Sequence, residues 1–599
     1  MEMTPALRRI LPRLRRSDGT IPIATVSGVA STTVGMIEWF DSNTDVAMIT
    51  TKSFQITPNP GNREPIITEP QPGSFGNAVG LRNPGIVTAV RELVVLRRRR
   101  TLRALLNVSV SGRSVEDFVD LAATTAPVAD LIELNYSCPH ATAGYGADIG
   151  KDIEAISEIT RATVASVPGV PVLVKLTPNV PDIAVMARAA IEAGAAGVVA
   201  INTVGPRIYR EPDSGAPILM NPPDGRGGAS GAWIAEDARR GVASIRDAIG
   251  TDPLIIGMGG VATVADCRAL HDAGADTVGV GSALARVSQR DWPAYLTHLG
   301  ERVEQVEPVE PERADEAPDP ARSKSFLRSS AEMAFSPAVV TDHRELAGGL
   351  FELTIARSLP FGPGQVVFLW LPGIGEKPFS PALSDPATFL IKRRGPVTTA
   401  LGALHRGDRV YIRGPYGASH EIPTNRDVHG DTDEPATRVP SDPSGGRGMT
   451  PRTLLVAGGS GAAILPSIAQ KITDGGGSVV CPIGVTEPFD ESTVIHALQK
   501  KGAVEIIPDK GVPGRVLETL EATVTTDRFD LAYLVGPDPF MKRGVHLIET
   551  RSPVTKIFVS LEQSMRCGVG MCGECHNRGM LTCNSGTIIP AEDWEASDD

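Results

Sequence analysis

Four of the seven cysteines in this 599-residue chain fall within one short segment near the C-terminus, "CGVGMCGECHNRGMLTC". Their spacing, C-x4-C-x2-C-x7-C, is set by Cys567, Cys572, Cys575 and Cys583. The first three cysteines have the spacing of a loop that wraps around a 2Fe-2S cluster, whose irons are ligated by thiolates. A structural zinc site is the alternative, but zinc loops favour paired C-x2-C units and only one is present. The spacing therefore predicts an iron–sulfur site, and a one-electron centre implies a flavin partner that trades one electron for two.

The remaining cysteines are scattered, and one of them directly follows an apolar run. Cys138 stands after "DLIELNYS", which is typical of a buried strand. A thiol there could be a core filler, a metal ligand or a reactive group, and a modest shift of its pKa makes it a thiolate near neutral pH. Cys267 and Cys481 have no comparable neighbours, so we interpret them as structural. One cysteine-ligated site with scattered thiols indicates a reducing compartment, not a disulfide framework.

The first half of the chain must position Cys138. Between residues 20 and 290, apolar runs such as "VPVLVKLT" and "PLIIGMGGV" alternate with helical patterns such as "DIAVMARAAIEAG". Continuous apolar runs are typical of parallel strands covered on both faces by helices. Their repetition predicts an α/β fold with a closed (β/α)8 barrel, the TIM barrel, in which the residues just after each strand line the active mouth.

The rest of the chain divides by composition. Residues 301–330 are charged and proline-rich, which is typical of a linker, and residues 424–450 are polar and turn-rich, which predicts a disordered insertion. Alternating apolar segments before that insertion predict an antiparallel β-barrel, and a strand, glycine turn and helix after it predict an α/β nucleotide-binding domain. The predicted divisions are 1–300 for the TIM barrel, 301–330 for the linker, 331–423 for the β-barrel, 424–450 for the insertion, 451–550 for the nucleotide domain and 551–599 for the cluster domain.

Composition narrows the possible functions. The formal net charge of −12 argues against binding nucleic acid or an anionic membrane as the main task. No apolar run approaches the roughly 18 to 20 residues that span a bilayer. The basic N-terminus lacks the apolar block and cleavage site of a secretory signal, and we interpret it as a helix that is solvated or caps the barrel. These features predict a cytoplasmic protein.

Five motifs in the second half occur in the order seen in ferredoxin-reductase-like proteins. They are "EKPFSPA" (376–382), "GPVTTAL" (395–401), "RGPYG" (413–417), "AGGSGAAILP" (457–466) and "VGPDPFM" (535–541). With the cysteine segment, residues 326–599 resemble the electron-transfer subunit of class 1B dihydroorotate dehydrogenase, or the related gamma subunits of sulfhydrogenases. The resemblance implies that FAD is held by Lys377, Pro378, Phe379, Ser380, Gly395 and Thr398, and NAD by Gly458, Gly459 and Gly461. Lys377 stands where the pattern usually has arginine, so this contact would be a point charge and not a planar fork.

The barrel half carries a second set of motifs. These include "GNAVGLRNPG" (76–85), "NVSVSG" (107–112), "ELNYSCPH" (133–140), "VKLTPNV" (174–180) and "AINT" (200–203). Together they resemble class 1 dihydroorotate dehydrogenases, which implies FMN in the barrel. Cys138 would be the base that takes the C5 proton of dihydroorotate while hydride passes from C6 to N5 of FMN. Lys175 would lie beside the N1/O2 edge of FMN, and Lys52 with Ser53 would bridge cofactor and substrate.

The same resemblance implies the remaining site residues. The pyrimidine would be bound by Asn77, Asn135, His140, Asn202 and Thr203, and its carboxylate by the backbone around Gly80 and Leu81. The FMN phosphate would be held by Gly259, Gly260, Gly281 and Ser282. Further FMN contacts would come from Ser27, Gly28, Asn107, Asn135, Ser230 and Gly231.

His140 departs from this pattern, because dihydroorotate dehydrogenases usually have asparagine there. "SCPH" and "INT" are the sequences that dihydropyrimidine dehydrogenases have in these loops. Those enzymes also carry several four-iron clusters, whose cysteine motifs this sequence lacks. The prediction is oxidation of dihydroorotate to orotate, with electrons passing from FMN through the 2Fe-2S cluster and FAD to NAD+, in a chain that forms a homodimer through the barrel. Two alternatives stay open: an NAD(P)H-dependent reductase of uracil-like or other conjugated substrates, and a non-catalytic electron-relay scaffold.

Overall fold

The computed structural model describes residues 4–136, 146–302, 333–423, 451–487, 491–509 and 514–594. By their contacts the residues form two compact units. The first unit is Met1–Ala334 with Arg566–Leu581, and the second is Phe335–Met565 with Thr582–Asp599. The finer domain boundaries predicted from composition stay predictions.

The first unit alternates strands and helices. Its strands up to residue 334 are β1 (Ile23–Thr25), β2 (Met48–Thr50), β3 (Ile67–Gln71), β4 (Ser74–Asn77), β5 (Leu105–Val110), β6 (Leu131–Asn135), β7 (Val172–Lys175), β8 (Gly197–Ala200), β9 (Val204–Ile208), β10 (Arg226–Gly231), β11 (Leu254–Met258) and β12 (Thr277–Val280). The segment Arg566–Leu581 adds a two-stranded antiparallel pair, His576–Asn577 with Met580–Leu581. Its helices are α1 (Pro5–Leu14), α2 (Val34–Asn43), α3 (Ile86–Arg99), α4 (Val115–Thr125), α5 (Ile153–Ser166), α6 (Ile183–Glu192), α7 (Ala235–Ile249), α8 (Val264–Asp272) and α9 (Trp292–Leu299).

The predicted (β/α)8 barrel is confirmed. Parallel strands close it in the order β1-β12-β11-β8-β7-β6-β5-β2. Helix α1 begins after the Thr4 cap, with Pro5 at a position where its missing N–H costs no hydrogen bond. Its buried face, Leu7, Ile10 and Leu14, packs with residues of the barrel strands. The N-terminal segment therefore contributes to the barrel core.

A small antiparallel sheet is inserted into this barrel, with strand order β3-β4-β10-β9. Strands β3 and β4 lie in the chain between β2 and α3, and β9 and β10 lie between β8 and α7. Both insertions therefore follow the carboxyl end of a barrel strand, which is the end where TIM-barrel active sites form.

The second unit combines two sheets. Its strands are β13 (Ser336–Glu345), β14 (Leu350–Ile355), β15 (Val366–Leu371), β16 (Gly375–Phe379), β17 (Leu383–Ser384), β18 (Ala387–Lys392), β19 (Arg409–Tyr416), β20 (Arg452–Gly458), β21 (Ser478–Val485), β22 (Ala503–Pro508), β23 (Leu531–Val535), β24 (Lys556–Ser560) and β25 (Ile588–Pro590). Its helices are α10 (Pro396–Leu401), α11 (Leu465–Asp474), α12 (Thr493–Gln499), α13 (Val516–Thr526), α14 (Asp538–Arg551) and α15 (Thr582–Ser585).

Strands β13 to β19 form an antiparallel sheet in the order β16-β15-β19-β13-β14-β18-β17, and residues from both of its halves share one apolar core. Strands β20 to β24 are parallel, in the order β22-β21-β20-β23-β24, with β25 antiparallel at the edge. This pairing gives the reductase-like combination of an antiparallel β-domain and an α/β domain that the sequence predicts. No helix among the described residues is both long enough and apolar enough to span a lipid bilayer.

A buried ion pair joins β16 to β19 in the second unit. Arg413 donates to the Glu376 carboxylate at 2.6 and 2.8 Å and to the Tyr416 hydroxyl at 2.8 Å, and neither member of the ion pair has exposed side-chain surface. Burial by itself lowers the pKa of Arg413, but the adjoining Glu376 and Tyr416 more than reverse this and raise it. Glu376 immediately precedes Lys377, so the pair fixes the strand that carries the predicted FAD motif.

Replacing Glu376 with glutamine should lower the free energy of unfolding of the second unit by about 3–5 kcal/mol, because it leaves the Arg413 charge buried without a counter-ion. Urea denaturation followed by circular dichroism measures this. The control is Asp527→Asn, which breaks the half-exposed pair with Arg452 and should cost at most about 1 kcal/mol. Equal urea midpoints for the two variants would contradict the prediction.

Candidate active site and cofactor sites

A cavity of about 1210 Å³, partly open to solvent, lies in the first unit where the barrel strands end. Most of the site residues predicted in the barrel line it. They are Ser27, Gly28, Lys52, Ser53, Asn77, Gly80, Leu81, Asn135, Lys175, Asn202, Thr203, Ser230, Gly231, Gly259, Gly260, Gly281 and Ser282. The closed barrel therefore gathers residues that are up to 255 positions apart in sequence around one space.

Three predicted residues are not in this lining. Asn107 lies fully buried on β5, where its amide donates to the Thr50 hydroxyl at 3.2 Å. Cys138 and His140 lie outside the described residues, so their predicted roles stay predictions. The strand that leads to them, β6, ends at Asn135, which lines the cavity.

Two lysines bring positive charge to the cavity. Lys52 follows β2 and Lys175 ends β7, and both are almost fully buried, with 8% and 5% of their surface exposed. Among the described residues, no carboxylate lies within ion-pair distance of Lys175. A β-carbon on Gly28 would lie 2.8 Å from the Lys52 ammonium, and the φ of 80° at this position favours glycine. Buried cations of this kind stabilise negative charge on a ligand.

Hydroxyl and amide groups form a chain beside these lysines. The Asn135 amide donates to the Ser53 hydroxyl at 2.8 Å, and the Ser27 hydroxyl lies 3.1 Å from Ser53. These three side chains come from three different strand ends, which the parallel barrel brings together. The chain fixes the orientation of Asn135 before any ligand arrives.

The loop after β4 lines the cavity with Val79, Gly80 and Leu81. The carbonyls of Ala78, Gly80 and Leu81 each accept a hydrogen bond from an asparagine side chain. The three donors are Asn62, Asn59 and Asn83, at 3.0, 3.2 and 2.8 Å. Among the described residues, the N–H groups of Val79, Gly80 and Leu81 have no acceptor.

Gly80 and Leu81 both have positive φ, 75° and 54°. Successive N–H groups in a turn of this kind form a concavity that binds anions. Leu81 adopts a conformation that costs a residue with a β-carbon roughly 1 kcal/mol or more, and the asparagines hold it there. The asparagines were not predicted from the sequence, because a lone polar residue in a loop gives no signal of what it holds.

The loop after β8 is also fixed by an asparagine. Asn179 donates to the Thr203 carbonyl at 3.1 Å and accepts from the Gly205 N–H at 2.9 Å. The Thr203 N–H is 2.7 Å from the Asn202 side-chain oxygen. Asn179 therefore positions the loop that carries two of the predicted substrate contacts.

The segment Arg566–Leu581 packs on the barrel residues of its own unit. The Ala30 N–H donates to the Met571 carbonyl and the Thr32 hydroxyl to the Cys572 carbonyl, each at 2.7 Å. Gly573 has φ 73°, and a β-carbon there would press against the Ala30 backbone. Three residues of this segment line the same cavity: Cys567, Met571 and Cys572.

Charged pairs hold the same segment. Arg566 pairs with Glu64, 502 positions away in sequence, and lies 3.4 Å from Glu574. Glu574 also pairs with Arg82 at 2.9 Å. Arg566 and Glu64 are both largely buried. Breaking this ion pair would leave a buried charge without a partner, which costs several kcal/mol of free energy. At the other end, Gln289 donates to the Gly579 carbonyl at 2.6 Å and accepts from the Leu581 N–H at 2.7 Å.

The four cysteines predicted to bind the cluster are buried. Cys567, Cys572 and Cys575 belong to the first unit and Cys583 to the second. The Cys572 N–H lies 3.4 Å from the Cys567 sulfur, an amide-to-sulfur contact of the kind that tunes iron–sulfur potentials. Within the ranges the structure describes, no three ligating side chains converge on a position for one metal ion.

The residues present fit both groups expected in the first unit. For an iron–sulfur cluster the first unit offers three buried thiols, Cys567, Cys572 and Cys575, with the Cys572 N–H near the Cys567 sulfur. For FMN, the buried Lys52 and Lys175 bring positive charge to the cavity, which suits an anionic ligand. Gly259 and Gly260 have φ of 123° and 78°, and they follow β11, late in the barrel where phosphate sites are usual.

A second cleft, of about 1060 Å³, lies in the second unit at the carboxyl ends of its parallel strands. Gly458 and Gly459 line it together with Pro537 and Phe540 of the "VGPDPFM" motif. It lies where the strand order reverses beside β20, the position at which open α/β sheets bind nucleotides. Gly461 is not in this lining; a β-carbon there would lie 2.8 Å from the Val535 carbonyl, so this glycine serves close packing.

The predicted FAD residues lie on two elements of the second unit. Lys377, Pro378 and Phe379 belong to β16, with Ser380 directly after it. Gly395 precedes α10, and the Thr398 hydroxyl accepts from the Gly395 N–H at 3.0 Å. Thr398 therefore caps this helix, which is a role the sequence motif did not reveal.

Comparison with known proteins follows the division seen in the sequence. Residues 17–292 match the family model described as dihydroorotate dehydrogenase. The catalytic subunit of dihydroorotate dehydrogenase B (NAD+) from Methanothermobacter thermautotrophicus is 41% identical over 236 residues, 39% of this chain and 74% of that protein. The chain belongs to the dihydroorotate dehydrogenase family. It is therefore an oxidoreductase of the dihydroorotate dehydrogenase type.

The chain is also similar to a second kind of subunit, the electron-transfer subunit of dihydroorotate dehydrogenase B (NAD+). The probable electron-transfer subunit from Thermococcus kodakarensis is 32% identical over 236 residues, 39% of this chain and 87% of that protein. Among solved structures, a dihydroorotate dehydrogenase from Eimeria tenella is 18% identical, with a TM-score of 0.41 over 50% of this chain and 88% of that one.

Proposed function

We propose that this chain oxidises dihydroorotate to orotate and reduces NAD+, combining in one polypeptide what its relatives divide between a catalytic and an electron-transfer subunit. One observation carries the proposal: the predicted FMN and substrate residues line the same cavity as Cys567, Met571 and Cys572 of the predicted cluster segment. A substrate oxidised in this cavity would be next to the thiols of a one-electron relay. The two classes of relative support the same conclusion.

The reaction removes a proton and a hydride from dihydroorotate and gives the hydride equivalent to NAD+. When bound, FMN would accept the hydride, the 2Fe-2S cluster would carry single electrons, and FAD would collect two electrons for transfer to NAD+ as hydride. Cys138 takes the C5 proton as a thiolate. Lys175 and Lys52 hold fixed positive charge where negative charge develops, in a site too buried for water to screen it.

The substrate is placed by groups of complementary chemistry. Asn77, Asn135 and Asn202 offer amides that both donate and accept, which suits the alternating edge of a pyrimidine. The N–H groups of Val79 to Leu81 receive the carboxylate. This anion-binding loop favours dihydroorotate over uracil, which has no carboxylate to fill it.

Replacing Asn59 with alanine should weaken orotate binding about tenfold and leave uracil binding unchanged, because the Gly80 carbonyl is no longer held away from the cavity. Titration of the FMN absorbance measures both affinities. Asn43→Ala is the matched control, since the Asn43 side chain donates only to its own helix, at the Trp39 carbonyl. An equal loss for both ligands would contradict a role in carboxylate binding.

The proposed function is tested by anaerobic turnover of the purified chain. Dihydroorotate with NAD+ should yield orotate and NADH in equal amounts and bleach the FMN absorbance. Uracil consumption with NADH or NADPH, without flavin bleaching by dihydroorotate, would instead establish the pyrimidine-reductase alternative that His140 raises. A chain whose flavin no substrate reduces would be the electron-relay scaffold.

A further inference from the structure

One fully buried carboxylate in the barrel has no place in the mechanism above. Glu133 lies on β6, two residues before Asn135, and has no exposed surface. It accepts a hydrogen bond from the Ser109 hydroxyl at 2.8 Å, and the Asn107 amide lies 3.5 Å from its other oxygen. In the part of the chain that the structure describes, no cation lies within ion-pair distance of it, and it does not line the cavity.

Glu133 ends a chain of hydrogen bonds that begins in the cavity. The Ser109 hydroxyl is 2.9 Å from the Ser53 hydroxyl. Ser53 in turn contacts the Ser27 hydroxyl at 3.1 Å and the Asn135 amide at 2.8 Å. Ser27, Ser53 and Asn135 line the cavity.

The carboxylate decides the direction of every bond in this chain. A carboxylate only accepts, and a serine hydroxyl has one proton to donate. Ser109 gives its proton to Glu133, so in its contact with Ser53 it must accept. Ser53 then has no proton left, and it must accept from both Ser27 and the NH2 end of Asn135.

This direction determines what the cavity offers a ligand. One N–H of the Asn135 amide is donated to Ser53, which fixes the NH2 group on that side and the oxygen on the opposite side. The Ser27 proton is committed as well, which leaves its lone pairs. Without the buried acceptor, Ser53 could donate to Asn135 and the amide could turn over, presenting NH2 where an acceptor is needed.

We propose that Glu133 is a positioning residue that, through Ser109 and Ser53, fixes the Asn135 amide with its oxygen towards the bound pyrimidine. This rests on the proposed function, because it takes Asn135 as a substrate contact. A ligand with an N–H donor at that position is then bound, and one with an acceptor there is rejected, since an unpaired buried acceptor costs more than the lost bond alone.

The test interrupts the series of hydrogen bonds at Ser109, which does not line the cavity. Ser109→Ala should weaken orotate binding about five- to tenfold in titrations of the FMN absorbance. Glu133→Gln should change it less than about threefold, because glutamine can still accept from Ser109 through its oxygen. The matched control is Ser111→Ala, directly after the same strand. The buried Ser111 hydroxyl has no partner among the described residues, and its loss should leave orotate affinity unchanged.

A double-mutant cycle separates positioning from general damage. In an Asn135→Ala background the effect of Ser109→Ala should vanish, since the group it orients is gone. The inference is overturned if Ser109→Ala binds orotate as tightly as Ser111→Ala, or if its effect persists without Asn135. Absence of any orotate signal in the unmodified chain would overturn the proposed function instead.

Discussion

Replacing Cys138 with serine is expected to slow FMN reduction by dihydroorotate about 10²- to 10⁴-fold, the usual contribution of a general base. A serine hydroxyl keeps its proton at neutral pH, whereas a thiol with a modestly lowered pKa does not. Anaerobic stopped-flow measurement of FMN bleaching gives the rate directly. Reduction of FAD by NADH should be unchanged, because that step uses residues of the second unit.

The control for this prediction is Cys267→Ser. Cys267 is buried in helix α8, where burial raises the pKa of its thiol to about 12, so it is a neutral core group at any working pH. A small loss of stability with unchanged FMN bleaching is expected. If Cys138→Ser reduces FMN as fast as the unmodified chain, the base is another residue and the assigned role of Cys138 is wrong.

The barrel and the residues that line its cavity could be predicted because apolar strands and helical patterns alternate regularly along the sequence. Lys175 and Asn135 each end an apolar run, and in parallel strands closed into a barrel all such ends meet at one mouth. The prediction required only the alternation of strands and helices, without any pair of contacting residues. The same reasoning placed Gly458 and Gly459 beside a cleft, since a glycine turn after a strand lies at the carboxyl edge of the sheet.

The contacts that hold the loops could not be predicted in this way. Asn59 and Glu133 act through single hydrogen bonds to groups whose position depends on the whole fold. The pairing of Arg566 with Glu64 joins residues 502 positions apart, and no local pattern specifies it. By their contacts, residues Arg566–Leu581 group with the barrel unit, and the predicted cluster domain at 551–599 stays a prediction.

The segment Arg566–Leu581 is distant in sequence from the barrel residues of its own unit, so specific contacts must hold it there. The Met571 carbonyl accepts from the Ala30 N–H, and the Cys572 carbonyl accepts from the Thr32 hydroxyl. The first bond needs no particular side chain at either residue, whereas the second needs the hydroxyl of Thr32. The fixed parts are Gly573, where a side chain would meet the Ala30 backbone, and the ion pairs of Arg566.

Replacing Cys572 with serine should reduce NAD+-coupled oxidation of dihydroorotate by roughly 100-fold or more, because a hydroxyl is a poor ligand for an iron–sulfur cluster. The first half-reaction should survive: dihydroorotate should still bleach FMN in a single turnover, since Cys138 and the cavity amides are untouched. The second half should survive too, with NADH still reducing FAD. Loss of coupling with both half-reactions intact is the result that identifies the segment as the connection between them.

Iron content and the visible spectrum provide the independent readout for Cys572→Ser, and both should fall with the coupled activity. Cys481→Ser is the matched control, because Cys481 is buried in β21 with the pKa of its thiol raised to about 12 by burial, and it should keep full iron and full coupling. A Cys572→Ser chain that retains its iron and its NAD+-coupled rate would show that electrons reach the second unit by another route. A chain that binds zinc in place of iron, with no change of visible spectrum on reduction, would make the cysteine segment structural.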